Sequence, residues 1–277
     1  MALTDNLQAF YKLSDLSDSS GNNRTLTNNG NVTFASGKIG NAATFDGSNY
    51  LQGSDANLPS GQSARTISCW YKTTSNNDLN VLAYGSQSYN GGVVFYSQND
   101  GKFIFSQYGD GIYSTSSLND NNWHNIVVTY DGTNWILYVD GSVNDQKEMG
   151  TDTQLAELLI GGAFGGGGNF DGSIDAVGIW NRALSDAEVA ELYNNGTGLE
   201  LDPPNYRGEW DNFTYYGPDD VVSVSGVYWK LTGLAGWTVG GAPGLGYGWT
   251  LLAPAPVGGK VSLSGRISLS GRVKFGA

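Results

Sequence analysis

Between residues 66 and 139 the chain repeats one pattern: five to seven residues of alternating apolar and polar character, closed by Gly, Asn, Asp or Ser. The segments are TISCWYK (66–72), GVVFYS (92–97), KFIFSQ (102–107), HNIVVTY (124–130) and WILYV (135–139). A two-residue period places alternate side chains on opposite faces, as in a half-buried strand, and no helix accommodates it. Asp131-Gly132 and Asp140-Gly141 separate the last segments with the dipeptide that favours tight hairpins, so an antiparallel meander is expected. Trp70, Trp123, Trp135 and Trp180 fall within or beside such segments and are expected in the core.

One stretch departs from this period. Residues 183–193 (ALSDAEVAELY) place Ala183, Leu184, Ala187, Val189, Ala190 and Leu192 at helical spacing. Ser185 with Glu188 three positions on forms a capping box, and Asn194-Asn195-Gly196 supplies a stop. The expected class is all-β, an antiparallel β-sandwich (jelly roll) with one short helix, plus a small β-domain and a C-terminal β-strand tail. The 41 Gly and 34 aromatic residues (10 Phe, 8 Trp and 16 Tyr) suit short strands, tight turns and large anchors.

Charge narrows the partners. The net charge of −12 argues against nucleic acid, because affinity for phosphate backbones rests on Lys and Arg. Residues 1–200 carry 8 basic and 21 acidic side chains, leaving 6 and 5 of the totals of 14 and 26 for residues 201–277. Cys69 is the single cysteine, so neither an intrachain disulfide nor a cysteine zinc cluster is available. The opening MALTDNLQAFYKLSD has no secretory leader pattern, and no apolar run is long enough to insert in a membrane. Synthesis in a host cytoplasm, followed by release in a particle, is the expectation.

The organisation reads as a sandwich over 1–200, a linker at 201–205 (LDPPN), a small aromatic unit over 206–253, and a Pro-containing linker with a repeat tail over 254–277. Two prolines stiffen the first linker and cannot donate to a sheet. The tail repeats GKVSLS, GRISLS and GRVKFG, placing Val261, Leu263, Ile267, Leu269, Val273 and Phe275 on one face. A ribbon with one apolar face and an open edge seeks another chain. Residues 257–277 are therefore expected to pair with other chains of an assembly or to intertwine in a homo-oligomer.

Five ordered blocks of the first unit resemble the laminin-G-like, concanavalin A-like jelly rolls of glycan-binding and phage virion proteins. They are AFYKLSDLSDSSGNNRTLTNNG, SGKIGNAATFDGSNYLQG, TISCWYKT, WHNIVVTYDGTNWILYVDG and GSIDAVGIWNRALSDAEVAELYNNG. The resemblance implies the sandwich fold and a structural calcium. Asp18 and Asn23 in the first loop, Asp46 in FDG and Asp175 near the last strand are the candidate oxygen ligands. The other reading is that Asp18 and Asp46 bond to their own turns. The second unit resembles small chitin- or cellulose-binding modules through Trp210, Tyr215 or Tyr216, Asp220 with Val222, Gly226 with Tyr228, Pro243 and Trp249. It departs from them at Pro218-Asp219-Asp220, where Gly-Asp is usual.

Sugars bind by stacking ring faces on aromatics while amides and carboxylates take the hydroxyls. Tyr216, Trp229 and Trp237 are the candidate carbohydrate-binding residues, with packing an equally open role for the two tryptophans. Catalytic signals are poor. His124, the one histidine, sits at a strand start, and no Glu-x-Asp-x-x-Glu strand offers a glycosidase pair. Asp186, Glu188 and Glu191 read as a solvated helix face. The run GGAFGGGG (161–168) lacks the Lys-Ser/Thr of a phosphate loop and reads as a flexible loop. The expected function is non-enzymatic: a phage virion surface protein that binds glycans for adhesion. The alternatives are an accessory part of a secreted polysaccharide-degrading enzyme and a purely structural spacer.

Overall fold

The computed structural model describes residues 1–201 and, beyond them, six short strands between residues 206 and 251. The chain divides into two compact units, Met1–Pro203 and Pro204–Ala277. The first unit opens with β1 (Leu7–Tyr11), β2 (Thr27–Asn29), β3 (Thr33–Ser36), β4 (Asn41–Asp46) and β5 (Tyr50–Gly53). Its middle holds β6 (Arg65–Lys72), β7 (Leu79–Gly85), β8 (Gly92–Ser97), β9 (Lys102–Ser106), β10 (Gly111–Ser117), β11 (His124–Tyr130) and β12 (Asn134–Val139). It closes with β13 (Ser142–Glu148), β14 (Glu157–Ile160), β15 (Asp171–Trp180) and the helix α1 (Asp186–Tyr193).

These strands form two antiparallel sheets. One has eight strands in the order β13-β12-β11-β6-β15-β4-β3, with β1 also paired to β15. The other has seven, in the order β10-β9-β8-β7-β14-β5-β2. The meander holds within β11–β12–β13 and within β7–β10. Elsewhere distant strands are neighbours, β6 lying between β11 and β15. Local turn chemistry fixes the hairpins: Asp131 accepts the N–H groups of Thr133 and Asn134, each at 2.8 Å. Asp140 and Gly141 are both left-handed (φ 50 and 74), as a two-residue hairpin turn requires.

The main core lies between the sheets, where Ile67, Cys69 and Tyr71 of β6 meet Phe95, Phe103 and Phe105 of the opposite layer. Each such side chain contributes about 1.5–3 kcal/mol when fully buried. The central strands β6 and β11 of the eight-stranded sheet are buried almost throughout rather than half-buried, as their period suggested. In β6, residues 65–71 are all buried, because the centre of that sheet is covered on both sides. Its outer side carries a second cluster in which Trp70, Val127, Tyr138 and Trp180 meet Leu184, Val189 and Leu192 from the helical segment. Trp70, Trp135 and Trp180 are buried as expected. Trp123 is partly buried, with the Lys72 ammonium 5.4 Å from its ring.

The helix starts where the capping box places it. Ser185 accepts the Glu188 N–H while the Glu188 carboxylate accepts the Ser185 N–H, and Asn194 ends the helix in left-handed geometry. Strand β15 changes partner midway: residues 171–174 pair with β4 and residues 177–180 with β1. At the handover Ala176 adopts φ 47 and the register with β6 shifts between Asp175 and Gly178. This bulge turns Asp175 and Ala176 out of the main core.

In the second unit the described strands are β16 (Tyr206–Glu209), β17 (Tyr215–Tyr216), β18 (Val221–Val224), β19 (Val227–Leu231), β20 (Thr238–Val239) and β21 (Trp249–Leu251). Strands β16-β18-β19-β21 form one sheet and β17-β20 a pair; β16 runs parallel to β18. Leu201 is buried in the outer cluster of the first unit. The remaining linker residues 202–205 and the tail over 254–277 lie outside the described residues.

Candidate functional site

Strand alternation builds a second apolar surface on the outer side of the seven-stranded sheet. In β8 it sends Val93 and Phe95 into the core, leaving Val94 and Tyr96 on the other side. In β5, β7 and β14 the same rule buries Leu51, Leu82 and Leu158 and turns Tyr50, Ala83 and Leu159 outward. Among the described residues no helix covers this side. Ala83, Val94 and Leu159 form its floor, with the half-buried Tyr50, Tyr96 and Tyr108 around them.

The glycine-rich run is part of this surface. Its ends are pinned: Gly161 N–H donates to the Val81 carbonyl at 2.8 Å, and the Gly168 carbonyl accepts from the Asn80 N–H at 2.7 Å. Between these anchors Phe164 packs on the floor and stands 5.9 Å from the Tyr108 ring. Gly165, Gly166, Gly167 and Gly168 all have positive φ, a path that side chains would strain, so the run is the sequence that lets the chain carry Phe164 across the face.

Polar groups edge the aromatics. The Tyr96 hydroxyl is pushed up to about 12, first by burial and then by the negative charge of Asp78. Burial also raises the Tyr108 hydroxyl. Gln52 donates to the Glu157 carboxylate at 3.0 Å, fixing an amide and an acid on neighbouring strands. Tyr89, 76 % exposed, and Tyr113, 51 % exposed, add further rings from the β7–β8 loop and β10. Ring faces bounded by fixed hydrogen-bonding groups suit a flat solute with an apolar face and a hydroxyl edge.

The residues picked out from sequence lie elsewhere. Asp18 accepts the N–H groups of Phe10, Ser20 and Arg24 at 3.0, 2.8 and 3.1 Å. Asn23 is a left-handed residue (φ 56) of the same loop. Asp46 accepts the Ser48 N–H and hydroxyl at 2.9 and 2.7 Å, and Asp175 accepts the N–H groups of Lys38 and Ile39 at 2.8 Å. A calcium cage needs converging oxygen atoms, whereas these carboxylates face N–H donors. Among the described residues no three His, Cys, Asp or Glu side chains gather to hold a metal, so the four residues as placed do not fit the ion. Tyr216 lies on β17 opposite Thr238, and Trp229 on β19 between Val222 and Leu251. Trp237 lies outside the described residues.

His124 heads β11 with both ring nitrogens engaged, Nδ1 at 2.9 Å from Asp140 and Nε2 at 3.1 Å from Asp120. Burial opposes its charge, yet the two carboxylates outweigh that and raise its pKa. The two carboxylates thus fix the imidazole ring at the head of β11.

A family model described as the concanavalin A-like lectin/glucanases superfamily matches residues 45–190, just over half of the 277-residue chain. Sushi, von Willebrand factor type A, EGF and pentraxin domain-containing protein 1 of Rattus norvegicus is 26% identical over 155 residues, which is 47% of this chain and 4% of that protein. The Mus musculus protein of the same name is also 26% identical, over 157 residues, with the same coverage. The chain thus spans a very small part of these curated relatives. Among solved structures, domain 4 of a GH43 extracellular arabinanase from Geobacillus stearothermophilus, in complex with arabinotriose, has a TM-score of 0.57 at 24% identity. The match covers 67% of this chain and 97% of that one. The binding domain of Paraclostridial Mosquitocidal Protein 1 has a TM-score of 0.56 at 20% identity, covering 70% and 53%. The botulinum neurotoxin serotype G binding domain has 0.55 at 17%, covering 68% and 50%. At these identities the structures establish the sandwich fold.

Proposed function

The chain belongs to the concanavalin A-like lectin/glucanases superfamily, and from that premise we propose that it binds glycans without catalysing a reaction on them. The observation that carries this reading is the open outer face of the seven-stranded sheet, where Tyr50, Tyr96, Tyr108 and Phe164 surround an apolar floor beside Asp78, Gln52 and Glu157. Such a face takes the C–H side of a sugar ring on aromatic carbon and its hydroxyls on the amide and acids. The likeness to an arabinanase domain solved with arabinotriose and to two toxin binding domains supports a binding role, and makes arabinotriose a sensible first probe.

Glycan-array screening followed by calorimetry on the full chain tests it. A saccharide is expected to bind, and Tyr96→Ala is expected to weaken it by about tenfold, or 1.4 kcal/mol. An array silent towards every glycan overturns the reading in favour of a spacer. If binding survives Tyr96→Ala but vanishes in Trp229→Ala and Trp237→Ala, the site belongs to the second unit.

The setting of this activity, as we read it, is the surface of a phage particle. The basic, strand-patterned residues 257–277 carry that proposal: they would join the protein to other virion proteins or to copies of itself. Deleting them is expected to lower the oligomeric mass measured by light scattering and to abolish particle attachment. Unchanged mass and attachment would refute it.

A further inference from the structure

A cleft of about 440 Å³ opens at the end of the sandwich where three loops and a hairpin meet. Tyr130 and Thr133 of the β11–β12 hairpin, Glu148 at the end of β13, Gln62, Asn90 and Asp152 supply its polar lining. Its volume lies within the roughly 300–1,000 Å³ usual for small-molecule sites.

The walls are held by a buried cation. The Arg65 side chain is fully buried and donates to neutral oxygens: the carbonyls of Pro59, Gly61 and Ser63 at 3.1, 2.7 and 2.9 Å, the Tyr84 hydroxyl at 3.2 Å and the Thr153 hydroxyl at 2.7 Å. Burying a guanidinium is costly, and these bonds offset the cost only while both loops keep their places. Gly61 and Thr153 also exchange backbone bonds at 2.9 and 3.2 Å, and the Asp152 N–H donates to the Asn90 carbonyl at 3.0 Å. The three loops that present Gln62, Asn90 and Asp152 are therefore tied to one another before any ligand arrives, which lowers the ordering cost of binding.

We propose that this cleft is a second saccharide site, separate from the tyrosine face, and that it takes a neutral sugar. Glu148 and Asp152 are acceptors, Gln62 and Asn90 pair with either partner, and Thr133 adds a hydroxyl; among the described residues no Lys or Arg lines the cleft. Such a lining matches a ligand dense in hydroxyl donors and repels uronate or sulfate groups. All five donors of Arg65 are already engaged, so it offers an anion no hydrogen bond. The saccharide class rests on the glycan-binding reading; the cleft itself does not depend on the tyrosine face.

The test is amide NMR of the full chain titrated with arabinotriose, maltotriose and cellotriose as neutral probes and trigalacturonate as the charged one. Gly150 borders the cleft, and a Cβ placed there meets no atom within 4 Å, so Gly150→Trp is the variant chosen to obstruct the cleft, with an unchanged amide spectrum away from it as the check that the fold is kept. A neutral trisaccharide is expected to shift the amides of Gly132, Thr133 and Gly150. That response should weaken at least tenfold in Gly150→Trp and persist in Tyr96→Ala. The proposal is overturned if no neutral probe shifts these amides, if Gly150→Trp leaves the response intact, or if trigalacturonate binds equally well. Shifts confined to the tyrosine face remove the cleft and leave the proposed function standing; shifts confined to the cleft move the glycan site there and remove the tyrosine face; no shift at either place overturns both.

Discussion

The outer faces of the two sheets start from the same alternating strands and end differently. On the eight-stranded sheet Trp70, Tyr138 and Trp180 are sealed beneath Leu184, Val189 and Leu192. On the seven-stranded sheet Tyr50, Tyr96 and Tyr108 stay half-buried, with Phe164 the chief cover. A face becomes core when the chain returns a helix to it. It remains a surface able to meet a ligand when the chain returns only a glycine-rich run and its rings carry hydroxyls.

The contrast makes graded predictions. The largest effect belongs to the sealed face: Trp180 is fully buried and donates its indole N–H to the Leu3 carbonyl at 2.6 Å. Trp180→Ala should lower unfolding free energy by about 3–5 kcal/mol in urea denaturation. A loss no greater than that of Tyr96→Ala would break the comparison.

Next comes Asp175, fully buried at the bulge of β15, its carboxyl pushed up to about 6 by burial. Because the folded state holds this proton more tightly than the unfolded chain, the contribution is fully present below about pH 4 and is lost as pH rises through 6. The decline amounts to about 3 kcal/mol at most. Asp175→Asn should flatten the stability profile over this window. An unchanged profile would show that Asp175 is not the titrating group. Glu188 works in the opposite sense: the Arg182 guanidinium at 2.9 Å holds its carboxyl down to about 2, so the stability it contributes disappears as pH falls from its ordinary range towards 2.

Smaller effects sharpen the same contrast. Ser185→Ala removes the cap of α1 and should cost about 1 kcal/mol by thermal melting, an effect confined to the sealed side. Tyr96→Ala on the open side should cost about 1 kcal/mol or less while still weakening saccharide binding. Chelation is expected to leave the melting temperature unchanged, since Asp18 and Asp46 bond to their own turns; a fall on adding chelator would restore calcium to this fold.

Much of the scaffold was legible in residues whose chemistry acts locally. The Ser185–Glu188 box, the Asn194 stop and the Asp140-Gly141 turn each work through bonds a few residues long, and the structure has them where the spacing puts them. The candidate site was less legible. Attention to Trp passed over Tyr96, although in GVVFYS its position opposite in phase to Phe95 marks it as outward on a strand. The part played by Phe164 had no such signal, because its contact with Tyr108 joins residues more than fifty apart in the chain.

By itself, then, the sequence determined the period of the strands, their turns and the helix α1, because each depends on neighbours along the chain. Tertiary structure decided which outer face was sealed, which tyrosines shared a surface, that Asp175 lay buried at a change of strand partner, and that Arg65 tied two loops into the wall of a cleft. Those outcomes depend on groups brought together from distant segments, and period and propensity alone do not specify which distant segments meet.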